Sequence, residues 1–146
     1  MRKKIILTAL MLLFGNLCFS APTCQSVAIN RWYGYVHRLS ADEKTLSCPD
    51  IDILGYVVIE RHVPRCGLLS GPVGCVDDHI VFRRVAISPY TRVLFCTPHG
   101  CIPYPWQKLE NEKRKLIVDI YRYSDNGRYV YVPDKIYVLD GLDWPF

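Results

Sequence analysis

Cys96-Thr97-Pro98-His99-Gly100-Cys101, with His62 four residues ahead of Cys66, is the tightest grouping of metal-capable side chains in the sequence. Thiolates and imidazoles at short spacing are what a tetrahedral structural zinc site draws on. The grouping has no Cys-x-x-Cys pair, and its cysteines belong to an even set, so a disulfide is the reading taken and no metal or cofactor is expected. A cysteine nucleophile with His62, His79 or His99 as its base needs an unpaired thiolate. Six paired cysteines leave none. Serine offers no substitute, because no Gly-x-Ser-x-Gly elbow is present and Ser70, before Gly71-Pro72, sits in an ordinary turn context.

Asp77, Asp78 and His79, followed by Arg83 and Arg84, form the most enzyme-like group. Carboxylates that hold a divalent cation beside arginines that clamp phosphate would make a small secreted metal-dependent hydrolase or nuclease. Against this, neighbours on an alternating strand point to opposite faces, so Arg83 and Arg84 cannot act as one clamp. This enzyme is the alternative reading.

Aromatic side chains are the remaining signal. Trp32, Tyr33 and Tyr35 fall in one strand-like run, and Tyr121, Tyr123, Tyr129, Tyr131 and Tyr137 in another. Tyrosine buries area at low entropic cost and still offers a hydroxyl, which favours it at interfaces. It is also simply a good strand former. Trp32, Tyr35, Tyr121, Tyr123, Tyr129 and Tyr131 are taken as the candidate binding residues.

The segment that must position most of these rings is Lys115 to Gly141. Asp125-Asn126-Gly127-Arg128 joins two runs rich in Val, Ile and Tyr, which predicts a β-hairpin with a two-residue turn at Asn126-Gly127. That turn sets Asp125 against Arg128, Tyr123 against Val130 and Tyr121 against Val132. Carried on unchanged, it would oppose Asp119 to Asp134, two like charges, and ask Pro133 for an N–H it lacks. A one-residue bulge near Pro133 answers both objections. It sets Asp119 against Lys135 and lines up Leu116, Val118 and Ile120 with Ile136 and Val138 as a core face. Ile117, Tyr121, Tyr123 and Tyr137 then share the opposite face, covered by other segments or offered to a partner.

Residues 1–20 carry Arg2, Lys3 and Lys4 before an apolar run from Ile5 to Phe14, with Ser20 ahead of Ala21. This is the layout of a secretory signal peptide. Three of the 18 basic residues and none of the 14 acidic ones lie there, so residues 21–146 carry 15 basic against 14 acidic, a net of +1. A near-neutral domain gives no electrostatic reason to bind nucleic acid. Cys24, Cys48, Cys66, Cys75, Cys96 and Cys101 read as a disulfide framework. Pairing of neighbours is expected: Cys24 with Cys48, Cys66 with Cys75, Cys96 with Cys101.

In chain order, strands are expected at Ser26–Arg38, broken near Gly34, at Gly55–Val63, ending at Pro64, and at His79–Ile87 and Arg92–Cys96. Between Cys66 and Cys75 lies a tethered loop, and Cys96–Pro105 reads as irregular. A helix is expected near 106–116, where Trp106, Leu109, Lys113 and Leu116 recur at spacings of three and four. Three strands, a helix and then a hairpin is an order that resembles the OB-fold, a five-stranded Greek-key barrel. The expectation is a mostly β, disulfide-stapled, OB-like barrel of five to six strands; a β-sandwich with one peripheral helix is the alternative. Residues 21–146 form a single domain, with 21–53 as N-terminal strand or arm, 54–141 as OB-like core and 142–146 as a docked tail.

Together these features predict a bacterial protein, exported to the periplasm or cell exterior, with no membrane span after the signal peptide. It binds a protein or glycan partner through a tyrosine-rich sheet face rather than turning over a substrate. Homo-oligomerisation is left open.

Overall fold

The computed structural model describes residues 25–40, 44–45, 51–66, 75–125 and 127–145, with backbone alone for 44–45, 64–66, 75–78 and 125. The expected signal peptide, Cys24, Cys48 and Asn126 lie outside the described residues. Strand dominates: β1 (Ser26–Ser40), β2 (Lys44–Thr45), β3 (Asp52–Ile53), β4 (Gly55–Cys66), β5 (Cys75–Ile87), β6 (Arg92–Thr97), β7 (Gly100–Pro103), β8 (Leu116–Asp125) and β9 (Arg128–Leu139). Seven of them form one sheet in the order β5-β4-β1-β8-β9-β6-β7, and β2 and β3 make a separate two-stranded ribbon. Every pairing in the large sheet is antiparallel except that of β6 with β9. Among the described residues no helix is long and apolar enough to cross a membrane.

One face of this sheet supplies the core. Trp32, Val57, Ile59, Val85, Ile87, Val93, Leu116, Val118, Ile136 and Val138 come from six different strands and pack into a single buried cluster. Side chains on one face of one sheet can meet this way only if the sheet curls, and β5 at one edge does pack against β9. No ladder joins those two strands, so the sheet remains open with β5 and β7 at its edges. The expected OB-like barrel of five to six strands is therefore corrected to an open, curled sheet of seven strands.

The hairpin of β8 and β9 has the register that the charge pattern demanded. Asp125 lies opposite Arg128, Tyr123 opposite Val130, Tyr121 opposite Val132 and Asp119 opposite Lys135. The register shifts between Asp119 and Ile120, and Ile120 faces Pro133, which leaves Asp134 as the extra, bulged residue. Gly127 has φ +77°, the positive value a two-residue hairpin turn requires. Leu116, Val118, Ile120, Ile136 and Val138 are all buried on the expected core face.

Elsewhere tertiary pairing overrode local signals. Strand β1, expected as an N-terminal strand or arm, lies between β4 and β8 in the middle of the sheet. Gly34 does not break it. A Cβ on Gly34 would sit 2.1 Å from the Glu60 carbonyl oxygen, so glycine is what lets β1 and β4 approach. The helix near 106–116 is only a 3₁₀ turn, Trp106–Asn111, that buries Leu109. Leu116 is claimed by β8, where it faces Gly34 on one side and Val138 on the other. Cys96–Pro105 is not irregular either: β6 and β7 form a tight hairpin with Cys96 opposite Cys101, and the two are disulfide-bonded. Cys66 and Cys75 face each other in the β4–β5 ladder, which extends past Pro64.

Two smaller clusters cover the outer face. At one end Ile51, Ile53, Tyr56, Ala86 and Val132 pack with Tyr123 and Val130. At the other, Cys96, Ile117 and Leu139 pack with Tyr33, Tyr137 and Trp144, so the tail is docked.

Candidate functional site: a tyrosine cleft at the Asp134 bulge

Between those two clusters the outer face is not covered. The extra residue at Asp134 pushes β9 out of regular pairing beside Tyr121, and two adjoining hollows open there. One, of about 280 Å³, is lined by Tyr90, Tyr121, Tyr123, Val132 and Asp134, with Ser26, Ile51, Ser88 and Pro133 completing it. The other, of about 230 Å³, is lined by Asn30, Arg31, Asp119, Tyr121 and Asp134, with Ala28, Ile29 and Ile120 behind. Tyr121 and Asp134 belong to both and form the ridge between them.

Each ring has a reason to be where it is. Tyr121 and Tyr123 are alternate residues of β8, so they share its outer face. Tyr90 is carried by the turn Ser88-Pro89-Tyr90-Thr91, closed by a hydrogen bond from the Thr91 N–H to the Ser88 carbonyl of 3.1 Å. Proline at the second position pre-sets that turn. The Thr91 hydroxyl then donates to the Pro133 carbonyl at 2.7 Å, pinning the turn to the bulged strand. The Ser88 hydroxyl accepts from the Tyr90 N–H at 3.2 Å, so this serine serves the turn. Tyr90 is left 78% exposed at the rim.

The electrostatics suit recognition by hydrogen bonds. Burial pushes the Tyr123 phenol above its ordinary pKa, and the charges of Tyr121 and Asp134 add to the effect. It stays a neutral donor. In the second hollow Arg31 Nε donates to Asp119 Oδ1 at 2.7 Å, and that hydrogen bond, then the carboxylate's charge, raises the guanidinium's pKa. Flat rings, phenol hydroxyls, the Asn30 amide and the Asp134 carboxylate together offer stacking surfaces, donors and acceptors to a polyhydroxylated or amide-rich ligand.

The six aromatic residues picked out in the sequence are not brought together. Tyr121 and Tyr123 lie in the cleft. Tyr35 is on the same face but under the tail, edge-on to Trp144 at 5.4 Å and to His62 at 5.2 Å. Trp32, Tyr129 and Tyr131 belong to the opposite, core-facing side: Trp32 is 3% exposed and meets Tyr131 at 5.1 Å. Tyr129 projects beyond the core beneath the Arg122 guanidinium, 4.3 Å away. Sequence reasoning missed Tyr90, Asn30 and Arg31. The Ser88-Pro89 turn was the available signal for Tyr90, whereas Arg31 is brought in by β1 pairing with β8, which nothing local announces.

The enzyme-like group is spread along one edge. His79 is exposed on β5, while Asp77 and Asp78 have only their backbone described. Arg83 lies opposite Ile59 on the core-facing side, and Arg84 opposite Val58 on the outer side, its guanidinium 3.5 Å from the Tyr56 ring centre. At the Cys96–Cys101 hairpin both sulfurs are committed to the disulfide, which takes from His99 the thiolate partners a zinc site would use. Among the described residues no group of three or more His, Cys, Asp or Glu side chains is placed to hold a metal ion. The chain matches no family model, no curated protein and no solved structure, so the cleft's own chemistry is what bears on function.

Proposed function

We propose that this is an exported binding module whose tyrosine cleft at the Asp134 bulge takes a neutral glycan segment. The observation that carries the reading is the convergence of Tyr90, Tyr121 and Tyr123 on Asp134 across two adjoining hollows. Aromatic faces stack on the apolar faces of sugar rings, and carboxylate, amide and phenol groups meet the hydroxyls at the ring edge. Export is supported by the signal-like residues 1–20, by the even cysteine set that follows, and by the Cys96–Cys101 disulfide.

Calorimetric titration of the mature protein with a panel of neutral oligosaccharides tests this. Saturable binding is expected for at least one of them, with Tyr121→Ala and Tyr90→Ala each weakening it about tenfold or more at unchanged circular dichroism. Equal binding by both variants, or binding only by a protein ligand, would sink the glycan reading. Hydrolysis of the bound sugar, lost on Asp78→Ala, would replace it with the enzyme alternative.

A further inference from the structure

On the opposite side of the sheet, past the edge of the core, three arginines from three strands share the face that carries Trp32, Tyr129 and Tyr131. Arg61 on β4 and Arg83 on β5 are diagonal neighbours on one face, since Arg61 lies opposite Val81 and Ile59 opposite Arg83. Arg122 on β8 lies opposite Tyr131 on β9, and Tyr131 packs on Trp32. The Arg61 guanidinium sits over the Trp32 ring, 4.8 Å from its centre. Among the described residues none of the three arginines makes an ion pair with a carboxylate.

Among the described residues two donors in this group have no acceptor. Arg61 Nε and Trp32 Nε1 are both buried and have no hydrogen-bond partner among the described residues, and Trp32 as a whole is almost completely buried. An indole N–H and a guanidinium N–H removed from water ordinarily find acceptors. Burial, and then the like charge of Arg83, also pull the Arg61 guanidinium below its ordinary pKa, with Tyr131 acting the other way. Arg83 donates to the Phe82 carbonyl at 3.0 Å, so the donors left without acceptors here are Arg61 Nε and Trp32 Nε1. The position is reachable at its outer side, because Arg83 is exposed and Arg61 is only half-buried.

We infer that this end of the core-facing side is an oxyanion site, in which Arg61 and Arg83 grip a carboxylate or sulfate group and the Trp32 indole N–H supplies a further donor. Guanidinium is the side chain suited to such a grip, since its planar fork donates two parallel hydrogen bonds to an oxyanion. The site lies on the other face of the sheet from the tyrosine cleft and does not depend on it. An acidic sugar is the simplest carrier of either anion: a uronate brings the planar carboxylate, a sulfated sugar the tetrahedral group.

The test follows the Trp32 indole N–H in nitrogen-15 correlation spectra of the mature protein, assigned with Trp32→Phe. Sodium glucuronate and sodium sulfate are titrated separately at ionic strength held constant with chloride. The expected result is a saturable shift of that resonance with at least one anion, and which one saturates identifies the carrier. Arg61→Gln should weaken binding about tenfold or more, the loss of one charge-assisted hydrogen bond, and Arg83→Gln should weaken it as well. Tyr121→Ala, across the sheet, should leave it unchanged. An indole resonance that stays still with both anions overturns the inference, and so does an equal shift in Arg83→Gln, a variant at an exposed position that keeps the fold.

Discussion

The Trp144 indole N–H donates to the Leu116 backbone carbonyl at 3.1 Å, so the tail is tied to the first residue of β8. Lys115 stacks its ammonium over the Trp144 ring, 4.8 Å from its centre, and bonds Asp143. That contact and the Trp144 N–H hold the Asp143 carboxyl below the usual carboxylate range. Replacing Trp144 by Ala removes a ring packed on Tyr33, Tyr35 and His62. Because the ring is only half-buried, the expected loss is about 2 kcal/mol, below the range for a fully buried Trp. Urea denaturation measures it, and a midpoint equal to that of the parent protein would mean the tail is ornamental.

Gly34→Ala should be far worse than its single methyl group suggests. The new Cβ would fall 2.1 Å from the Glu60 carbonyl oxygen and 2.9 Å from its carbon, both backbone atoms of the paired strand. Overpacking at a position that cannot yield costs about 3 kcal/mol or more. A thermal scan should show a collapsed or absent transition.

Glu112 and Tyr104 give stability a pH dependence at both ends. The Tyr104 hydroxyl donates to Glu112 Oε2 at 2.7 Å, and the Arg114 guanidinium donates to Glu112 Oε1 at 3.1 Å. Burial alone would raise the Glu112 carboxyl, but the hydrogen bonds from Tyr104, from the Arg114 N–H and from its guanidinium outweigh it and hold the pKa low. The stability this group contributes is present above its unfolded pKa and is lost as pH falls through the lower folded value. Burial, then the Glu112 hydrogen bond and charge, push Tyr104 up to about 12. Its contribution is full below the ordinary tyrosine value, about 10, and is lost from there up to the folded value. Tyr104→Phe should flatten the alkaline limb of a urea-midpoint profile and cost about 1 to 2 kcal/mol at neutral pH.

Reducing Cys96–Cys101 opens a small loop, so the loop-entropy argument assigns it about 2 kcal/mol. Cys96→Ser with Cys101→Ser should lose about that amount, with the cleft, which lies at the other end of the β6–β9 pairing, still binding. Denaturation with and without reductant checks the first point, ligand titration the second.

Deleting Asp134 should close the bulge without disturbing either half of the hairpin. Ile120 already faces Pro133 and Asp119 already faces Lys135, so removing the residue between them restores simple alternation. The variant should fold within about 1 kcal/mol of the parent and lose ligand binding in the cleft. A variant that folds and still binds would detach the cleft from the bulge.

That bulge was legible because the conflict it resolves is local: a proline and two aspartates within one hairpin contradict regular pairing. Core residues of β8 and β9 were legible for the same reason. What could not be read was whatever distant strands decide. The placement of β1 between β4 and β8 turned Gly34 from an apparent break into a close-approach site, and it delivered Arg31 to Asp119. The rings were grouped by type, although plain alternation divides them between the two faces. The turn that sets Tyr123 opposite Val130 also sets Arg122 opposite Tyr131, and Trp32 and Tyr35 stand three residues apart in an unshifted stretch of β1, so rings that look like one surface end on two. The 3₁₀ turn shows the reverse: good helix formers from Gln107 to Lys113 yielded because Leu116 is worth more in the ladder.

The ion pair between Arg31 and Asp119 joins residues 88 positions apart, and with it the middle of the sheet depends on the end of the chain. A polypeptide emerging amino end first, from a ribosome or through a membrane pore, can form the β4–β5 hairpin and seat β1 against β4, but the other side of β1 stays bare until β8 arrives. Strand β6 waits longer still, for β9. Such a chain should fold late and slowly, in milliseconds to seconds, and its unfinished intermediate presents open strand edges to whatever escorts it.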